Sequence, residues 1–203
     1  VSGKDSLNNE YVGGDGERHA VPPTLVITAV AHVPDPDSCV TPDLRAPGNS
    51  LLLVGSTAAE FAGSHFDLVH GEPADPGVVP APDRHAPTRY RQLHAAITAG
   101  LVVSCHDVSE GGLAVALAEM CISGRLGATI TALPHDDLAV ALFSESIGRL
   151  VVEVEPANEA SFQRLMEDSA LRLGEVTESG MLLLPHVEPI PVVDLVDAFN
   201  TSS

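Results

Sequence analysis

Short apolar runs alternate with amphipathic segments along this chain, a pattern typical of strands and helices in turn. The runs that predict strands are residues 21–33, 50–55, 101–105, 128–132, 150–154, 173–176 and 181–184, the last two as a closing pair around Ser179 and Gly180. Apolar residues at helical spacing predict helices over 89–100, 113–122, 159–168 and 192–200. Because strands and helices alternate, we expect an α/β or α+β fold with a mixed sheet covered by helices.

Turn-forming residues divide the chain near residue 40. The segment 34–49 is rich in Pro, Asp and Gly, so we expect it to cross between two domains. Residues 1–40 are then the tail of a preceding domain, ending in the strand at 21–33, and residues 41–203 form an α/β domain. The chain begins at Val1 inside a polar segment, so we interpret it as a piece of a longer protein.

Composition narrows the class of partner. With 203 residues, 44% of them hydrophobic, the chain can bury an ordinary core, whereas a net charge of -18 would repel nucleic acid. No apolar run is long enough to span a membrane and the start lacks signal-peptide regions, so we expect a globular, cytoplasmic protein. The cysteines are widely spaced and odd in number, which argues against a disulfide framework or a zinc site. His65 and His70, on a predicted loop, are not spaced as zinc ligands.

The most informative stretch follows the predicted strand at 101–105. His106 and Asp107 are followed by Ser109, then by Gly111 and Gly112, which open a helix that is apolar almost all round. A helix start with glycines favours an anion, and a carboxylate can hold a divalent cation beside it. Ser109 binds the phosphate on this interpretation, or it simply caps the helix, as Ser commonly does.

Other polar segments leave two interpretations open. The first ten residues are rich in groups that bind phosphate and magnesium but lack the spacing of a P-loop, so a polar loop is the alternative. The segment 144–146, Ser-Glu-Ser, either hydrogen-bonds a ligand or finishes a turn. Residues 13–16 predict a turn, and the proline-rich segment 71–87 a surface loop. Cys105 and His106 point to opposite faces of a strand and cannot act as nucleophile and base.

Taken together, these motifs resemble one family. Residues 2–10, 22–25, 106–120 and 142–146 are similar to the second half of the synthetase component of phosphoribosylformylglycinamidine synthase, of the aminoimidazole ribonucleotide synthetase-like superfamily. The resemblance implies two ATP-binding domains, each followed by a C-terminal domain, with this chain as the tail of the second ATP-binding domain plus the last C-terminal domain. It implies an ATP-dependent ligase of purine biosynthesis that converts formylglycinamide ribonucleotide, with glutamine-derived ammonia, to the amidine. In this family a separate glutaminase domain or subunit supplies the ammonia, so the resemblance implies such a partner.

The resemblance also implies roles for particular residues. Gly3 matches a nucleotide-binding glycine and Ser6 a substrate-binding serine, while Asp107 and Ser109 match residues that hold the nucleotide and, for Asp107, the Mg²⁺ of an auxiliary site. Lys4 stands where some members have a magnesium-binding Asn; a cation cannot ligate magnesium, so contact with phosphate is its alternative. The family's catalytic histidine lies upstream, so no catalytic residue is assigned and the isolated chain is expected to be inactive.

Two other hypotheses stay open on the sequence alone. One is a structural or interaction domain whose nucleotide site has been lost. The other is a different ATP-dependent member of the same superfamily. An acid at a helix entrance is not required for packing, so Asp107 with Ser109, Gly111 and Gly112 favours the ligase.

Overall fold

The computed structural model of this chain describes residues 10–20, 27–71 and 77–201. The chain forms two compact units, residues 1–36 and 37–203. In the first unit, β1 (Glu10–Val12) and β2 (Arg18–Ala20) pair antiparallel. The turn between them is closed by a hydrogen bond from the Gly13 amide to the Glu17 carbonyl at 2.9 Å, so the glycine-rich turn forms where it was predicted.

The second unit carries the sheet and the helices. Its described strands are β3 (Ser50–Val54), β4 (Ser104–Val108), β5 (Gly127–Ile130), β6 (Arg149–Val154), β7 (Ala170–Thr177), β8 (Met181–Leu183) and β9 (Ile190–Pro191). Its described α-helices are α1 (His65–His70), α2 (Ala86–Thr98), α3 (Gly112–Gly124), α4 (Leu138–Phe143), α5 (Pro156–Met166) and α6 (Val192–Thr201). Short 3₁₀ turns cover Pro36–Ser38 and Glu167–Ser169.

The strands form one seven-stranded sheet in the order β4-β6-β3-β7-β5-β8-β9. All neighbours are antiparallel except β5 and β8, which run parallel. The sheet is therefore mixed, and helices cover it, so the predicted fold class is confirmed.

Strand β3 lies in the middle of this sheet because both of its faces are apolar. Its residues alternate between two cores: Leu51 and Leu53 pack toward α3, α4 and α6, and Leu52 and Val54 toward α2 and α5. All four side chains are fully buried. A strand with no polar face must be covered on both sides, so helices are required on each face.

Two helices are positioned by simple sequence features. α2 starts with Pro87 in its first turn, where the missing amide costs no helical hydrogen bond, and it buries Leu93 and Ala96. α3 is apolar almost all round and buries six of its residues, as its sequence predicted: Gly112, Leu113, Ala116, Leu117, Met120 and Cys121. None of the helices in the described part of the chain is both long and apolar enough to cross a bilayer.

Four predictions of local structure are wrong in their described parts. Residues 27–33 are neither strand nor helix, and Val30 is 91% exposed, because no other strand pairs with this apolar run among the described residues. β4 begins at Ser104 rather than residue 101 and continues through Asp107, since the backbone of β6 is available to pair with it as far as Val108. His65 and His70 lie on α1, whose start is capped by the Ser64 hydroxyl, and not on a loop.

The fourth concerns the last strands of the sheet. β7 and β8 are not a hairpin, although a turn at Ser179 and Gly180 joins them. β5 lies between them, antiparallel to β7 and parallel to β8. Because β5 is inserted there, Ala128 of β5 is fully buried between β7 and β8. In a direct hairpin β7 and β8 would pair with each other and would not cover Ala128 from both sides.

A buried carboxylate fixes the entry to the central strand. Glu153 of β6 is fully buried and accepts hydrogen bonds from the backbone amides of Arg45 (2.8 Å) and Ala46 (3.0 Å) and from Asn49 Nδ2 (2.7 Å). These donors belong to the segment that leads into β3. A buried charge is tolerated only where such donors satisfy it, so Glu153 holds this segment against the sheet.

We predict that Glu153→Gln lowers the free energy of unfolding by about 2 kcal/mol, because an amide NH₂ would face a backbone donor and leave it unpaired. Urea denaturation of the full chain measures this. The matched control is Glu178→Gln, the same change at an exposed position in the turn after β7, which we expect to leave stability within about 0.5 kcal/mol. Equal stability of the two variants would contradict this account of Glu153.

Candidate functional site

The end of β4 and the start of α3 enclose the site. The turn between them is tight: Gly111 and Gly112 have φ of 77° and 69°, a region that side chains rarely adopt. A Cβ at Gly112 would lie 2.7 Å from the carbonyl oxygens of Leu142 and Ser144. Glycine at this position therefore allows α3 to begin directly against the loop that follows α4.

Ser109 does not cap α3. The N-cap residue is Gly111, no side chain of the cap residue bonds the helix, and Ser109 contributes only its carbonyl, which accepts from the Gly112 amide at 3.1 Å. The capping interpretation of Ser109 is therefore wrong. Ser109 is exposed and lines a cavity instead.

The anion at the start of α3 comes from the protein itself. Glu145 Oε1 accepts hydrogen bonds from the Gly111 amide at 2.8 Å and from the His65 amide, at the start of α1, at 2.9 Å. A carboxylate is stabilised at a helix N-terminus by the free amides and the helix dipole. The segment 144–146 thus does more than finish a turn, because its carboxylate joins α1 to α3.

These elements surround an open cavity of about 430 Å³. Its lining combines apolar and acidic side chains with the exposed hydroxyl of Ser109. The lining residues are Tyr90, Asp107, Val108, Ser109, Glu110, Glu145, Ile147, Gly148, Arg149 and Leu150. The structure therefore brings two predicted segments together, the one after β4 and the one at 144–146.

Asp107 lies at the mouth of this cavity. Its side chain is 68% exposed, and its Oδ1 lies 3.2 Å from His106 Nδ1. The other ring nitrogen of His106, Nε2, lies 2.8 Å from Glu119 Oε2 on α3. His106 thereby links the Asp107 carboxylate to the helix, which limits the positions that this carboxylate adopts.

Arg149 closes the base of the cavity. It is 1% exposed, and its Nε and Nη1 donate to the Ser146 carbonyl (3.0 Å) and the Thr57 hydroxyl (2.9 Å). Its Nη2 donates to the Ser144 carbonyl. Burial lowers the pKa of Arg149 to about 10, opposed by the charges of Glu60 and Glu145, so this cation is still protonated at neutral pH.

A protein-only metal cage is not present in the described part of the chain. No group of three or more His, Cys, Asp and Glu side chains there is arranged to hold a metal ion. Magnesium usually takes one or two carboxylates and completes its shell with water and phosphate oxygens. The exposed carboxylate of Asp107, in a cavity that Ser109 also lines, fits that mode of binding.

The structure also shows whether Cys105 and His106 of β4 can act as a nucleophile and base. Cys105 packs toward the core beneath α2 and α5, while His106 contacts α3 on the opposite face. Burial, with a smaller contribution from the Asp107 charge, raises the pKa of Cys105 to about 11. Cys105 and His106 are therefore not a nucleophile and base, as the strand geometry predicted. Gly3, Lys4 and Ser6 lie outside the described residues.

Two lining residues were not predicted from the sequence. Tyr90, on α2, is 45% exposed at the cavity, and Arg149 directly precedes the strand that was predicted over 150–154. The sequence around Arg149 gives only a weak signal of its role, since its hydrogen-bond partners lie in two distant segments, 144–146 and the one at Thr57. Only the folded chain brings them together.

The fold and the cavity define the class of protein. The family described as AIR synthase related protein, C-terminal domain, matches residues 46–183, a span that includes strands β3 to β8 and all residues of the cavity lining. The chain belongs to this family. The superfamily resemblance of its motifs is thereby confirmed.

A more particular similarity is to phosphoribosylformylglycinamidine synthase subunit PurL of Lactobacillus helveticus. The two are 37% identical over 184 residues, which are 90% of this chain and 24% of the relative, so the chain spans only that part of the relative's length. Among solved structures, T. maritima PurL complexed with FGAR aligns with a TM-score of 0.68 and 20% identity, over 79% of this chain and 30% of that chain. E. coli HypE, a hydrogenase maturation protein, aligns with a TM-score of 0.53 and 20% identity, over 76% and 55%. Both structures share the fold.

We predict that Cys39 is the fast-reacting thiol of the folded chain, because it is exposed, whereas burial raises the pKa of Cys105 to about 11 and that of Cys121 to about 12. Thiols react as thiolates, and these two stay protonated near neutral pH. Titration with a chromogenic disulfide at about pH 8 should show one rapid equivalent, absent in Cys39→Ser. Denatured chain, in which all cysteines react, is the control; a rapid equivalent that persists in Cys39→Ser would contradict the assignment.

Proposed function

We propose that this chain is part of an ATP-dependent ligase of the phosphoribosylformylglycinamidine synthase type. The reaction converts formylglycinamide ribonucleotide to the corresponding amidine, with ammonia derived from glutamine, in purine biosynthesis in the cytoplasm. Similarity to a PurL subunit over 90% of this chain supports this function. Since the chain spans 24% of that relative, the activity belongs to the whole protein.

The contribution of this chain is an auxiliary nucleotide and magnesium site at the cavity. In this proposal Asp107 binds Mg²⁺, and Ser109 donates its hydroxyl to a phosphate of the nucleotide. The observation that carries it is the position of both groups at the mouth of one cavity, with the Ser109 hydroxyl not used to cap α3. His106 holds the Asp107 carboxylate toward the cavity by its contact with α3.

The remaining assignments follow from the same family. Residues 1–40 form the tail of the second ATP-binding domain, with Gly3 at the nucleotide and Ser6 at the substrate, and residues 41–203 form the C-terminal domain. A glutaminase domain or subunit is the partner that delivers ammonia. The apolar and acidic lining of the cavity and the net charge of -18 are both unsuited to nucleic acid.

We predict that Mg²⁺ and ADP bind the full chain together and that Asp107→Ala weakens this binding at least tenfold, about 1.4 kcal/mol. Removal of the carboxylate takes away the protein's ligand to the metal. Isothermal titration calorimetry measures the affinity. The matched control is Asp168→Ala, an exposed aspartate in the 3₁₀ turn after α5 and outside the cavity, which should bind as the unchanged chain does.

The same experiment separates the alternatives. Equal binding by the unchanged chain and Asp107→Ala would remove Asp107 from the site. Absence of binding would favour a structural or interaction domain with a decayed nucleotide site. The remaining alternative, a different ATP-dependent member of the same superfamily, is tested by assaying the intact parent protein for amidine formation that requires ATP and ammonia.

A further inference from the structure

Glu145 occupies the position that an incoming anion would take at the start of α3. Its Oε1 accepts the Gly111 amide at 2.8 Å and the His65 amide at 2.9 Å, and its side chain is only 16% exposed. The Glu145 amide in turn donates to the Glu60 carbonyl at 3.2 Å, which fixes the loop. The sequence pattern favours an external phosphate here, but the folded chain supplies its own carboxylate.

The remaining charges of the cavity offset this carboxylate only in part: the charge of Arg149 interacts with that of Glu145, but the lining holds three carboxylates against this one arginine. Asp107 and Glu110 are exposed in the same lining and add two more negative charges. Arg149 is the cation among the described lining residues, and it lies buried with its nitrogens directed to oxygens of the protein. A metal-free phosphate that enters the cavity therefore meets carboxylates and no exposed arginine or lysine of the described lining.

We propose that Glu145 is a specificity-determining residue, which makes this cavity select a magnesium-complexed phosphate ligand and reject the metal-free form. The inference rests on the proposed nucleotide site at Asp107 and Ser109. A divalent cation cancels two of the ligand's negative charges. The carboxylates of the cavity therefore repel the magnesium complex much less than the free anion. Because Glu145 is partly buried, its charge is screened less by water than the exposed Glu110 charge.

The test uses Glu145→Gln. The glutamine oxygen still accepts from the Gly111 and His65 amides, so the variant removes the charge and keeps the shape. We expect its affinity for ADP in the presence of a chelator to rise about tenfold over that of the unchanged chain, while its affinity for the magnesium complex changes less than about threefold. Calorimetric titration of ADP with Mg²⁺, and of ADP with chelator, measures both values.

Two further variants make the test specific. Glu110→Gln removes a different carboxylate of the same cavity, one that does not bond to the start of α3. It should reduce the preference for the magnesium complex less than Glu145→Gln does. Glu145→Asp keeps the charge and should keep the preference for the magnesium complex. Near-ultraviolet circular dichroism of each variant verifies that it is folded.

The outcomes separate this inference from the proposed function. An unchanged preference in Glu145→Gln, or an equal effect of Glu110→Gln, would overturn the role of Glu145 and leave the nucleotide site in place. Equal affinity of the unchanged chain for ADP with and without Mg²⁺ would overturn both the role of Glu145 and the assignment of Asp107 as a Mg²⁺ ligand, and would leave only a nucleotide site. Failure of the unchanged chain to bind either form would overturn both the site and the inference.

Discussion

The shape of the site depends on the buried guanidinium of Arg149. This cation begins β6 and donates hydrogen bonds to the Ser144 and Ser146 carbonyls and to the Thr57 hydroxyl, so it joins the loop after α4 to the segment after β3. Burial of a charge is unfavourable, as the pKa of about 10 reflects, but the acceptors and the nearby carboxylates offset it. Glu145 lies between two of the carbonyls that Arg149 holds, and its placement at α3 follows from this arrangement.

Features that depend on neighbours in sequence could be predicted. The apolar run of β3 and the nearly continuous apolar surface of α3 each indicate that the element is buried. The mixed sheet covered by helices was therefore predicted. The pair of glycines at 111 and 112 marked the start of α3, and Asp107 marked the cavity. These signals act within a few residues, where backbone conformation and periodicity dominate.

Features that depend on distant partners could not be predicted. Glu145 accepts a hydrogen bond from the Gly111 amide, 34 residues away. The sequence of neither segment indicates that it contacts the other. For the same reason the turn at Ser179 and Gly180 suggested a hairpin, although β5 separates the two strands. The apolar run 21–33 predicted a strand, but a strand requires a partner backbone, and the described residues provide none for its described part, 27–33.

The two ends of the sheet differ in how they resist addition of a foreign strand. At one edge, β9 is two residues long and ends in Pro191, which has no amide to donate. At the other edge, the Cys105 amide of β4 is already bonded to the Thr41 carbonyl, and Asp107 places a charge beside it. Addition of a foreign strand is thus disfavoured at both edges, and the exposed carboxylate of Asp107 contributes to this at the β4 edge.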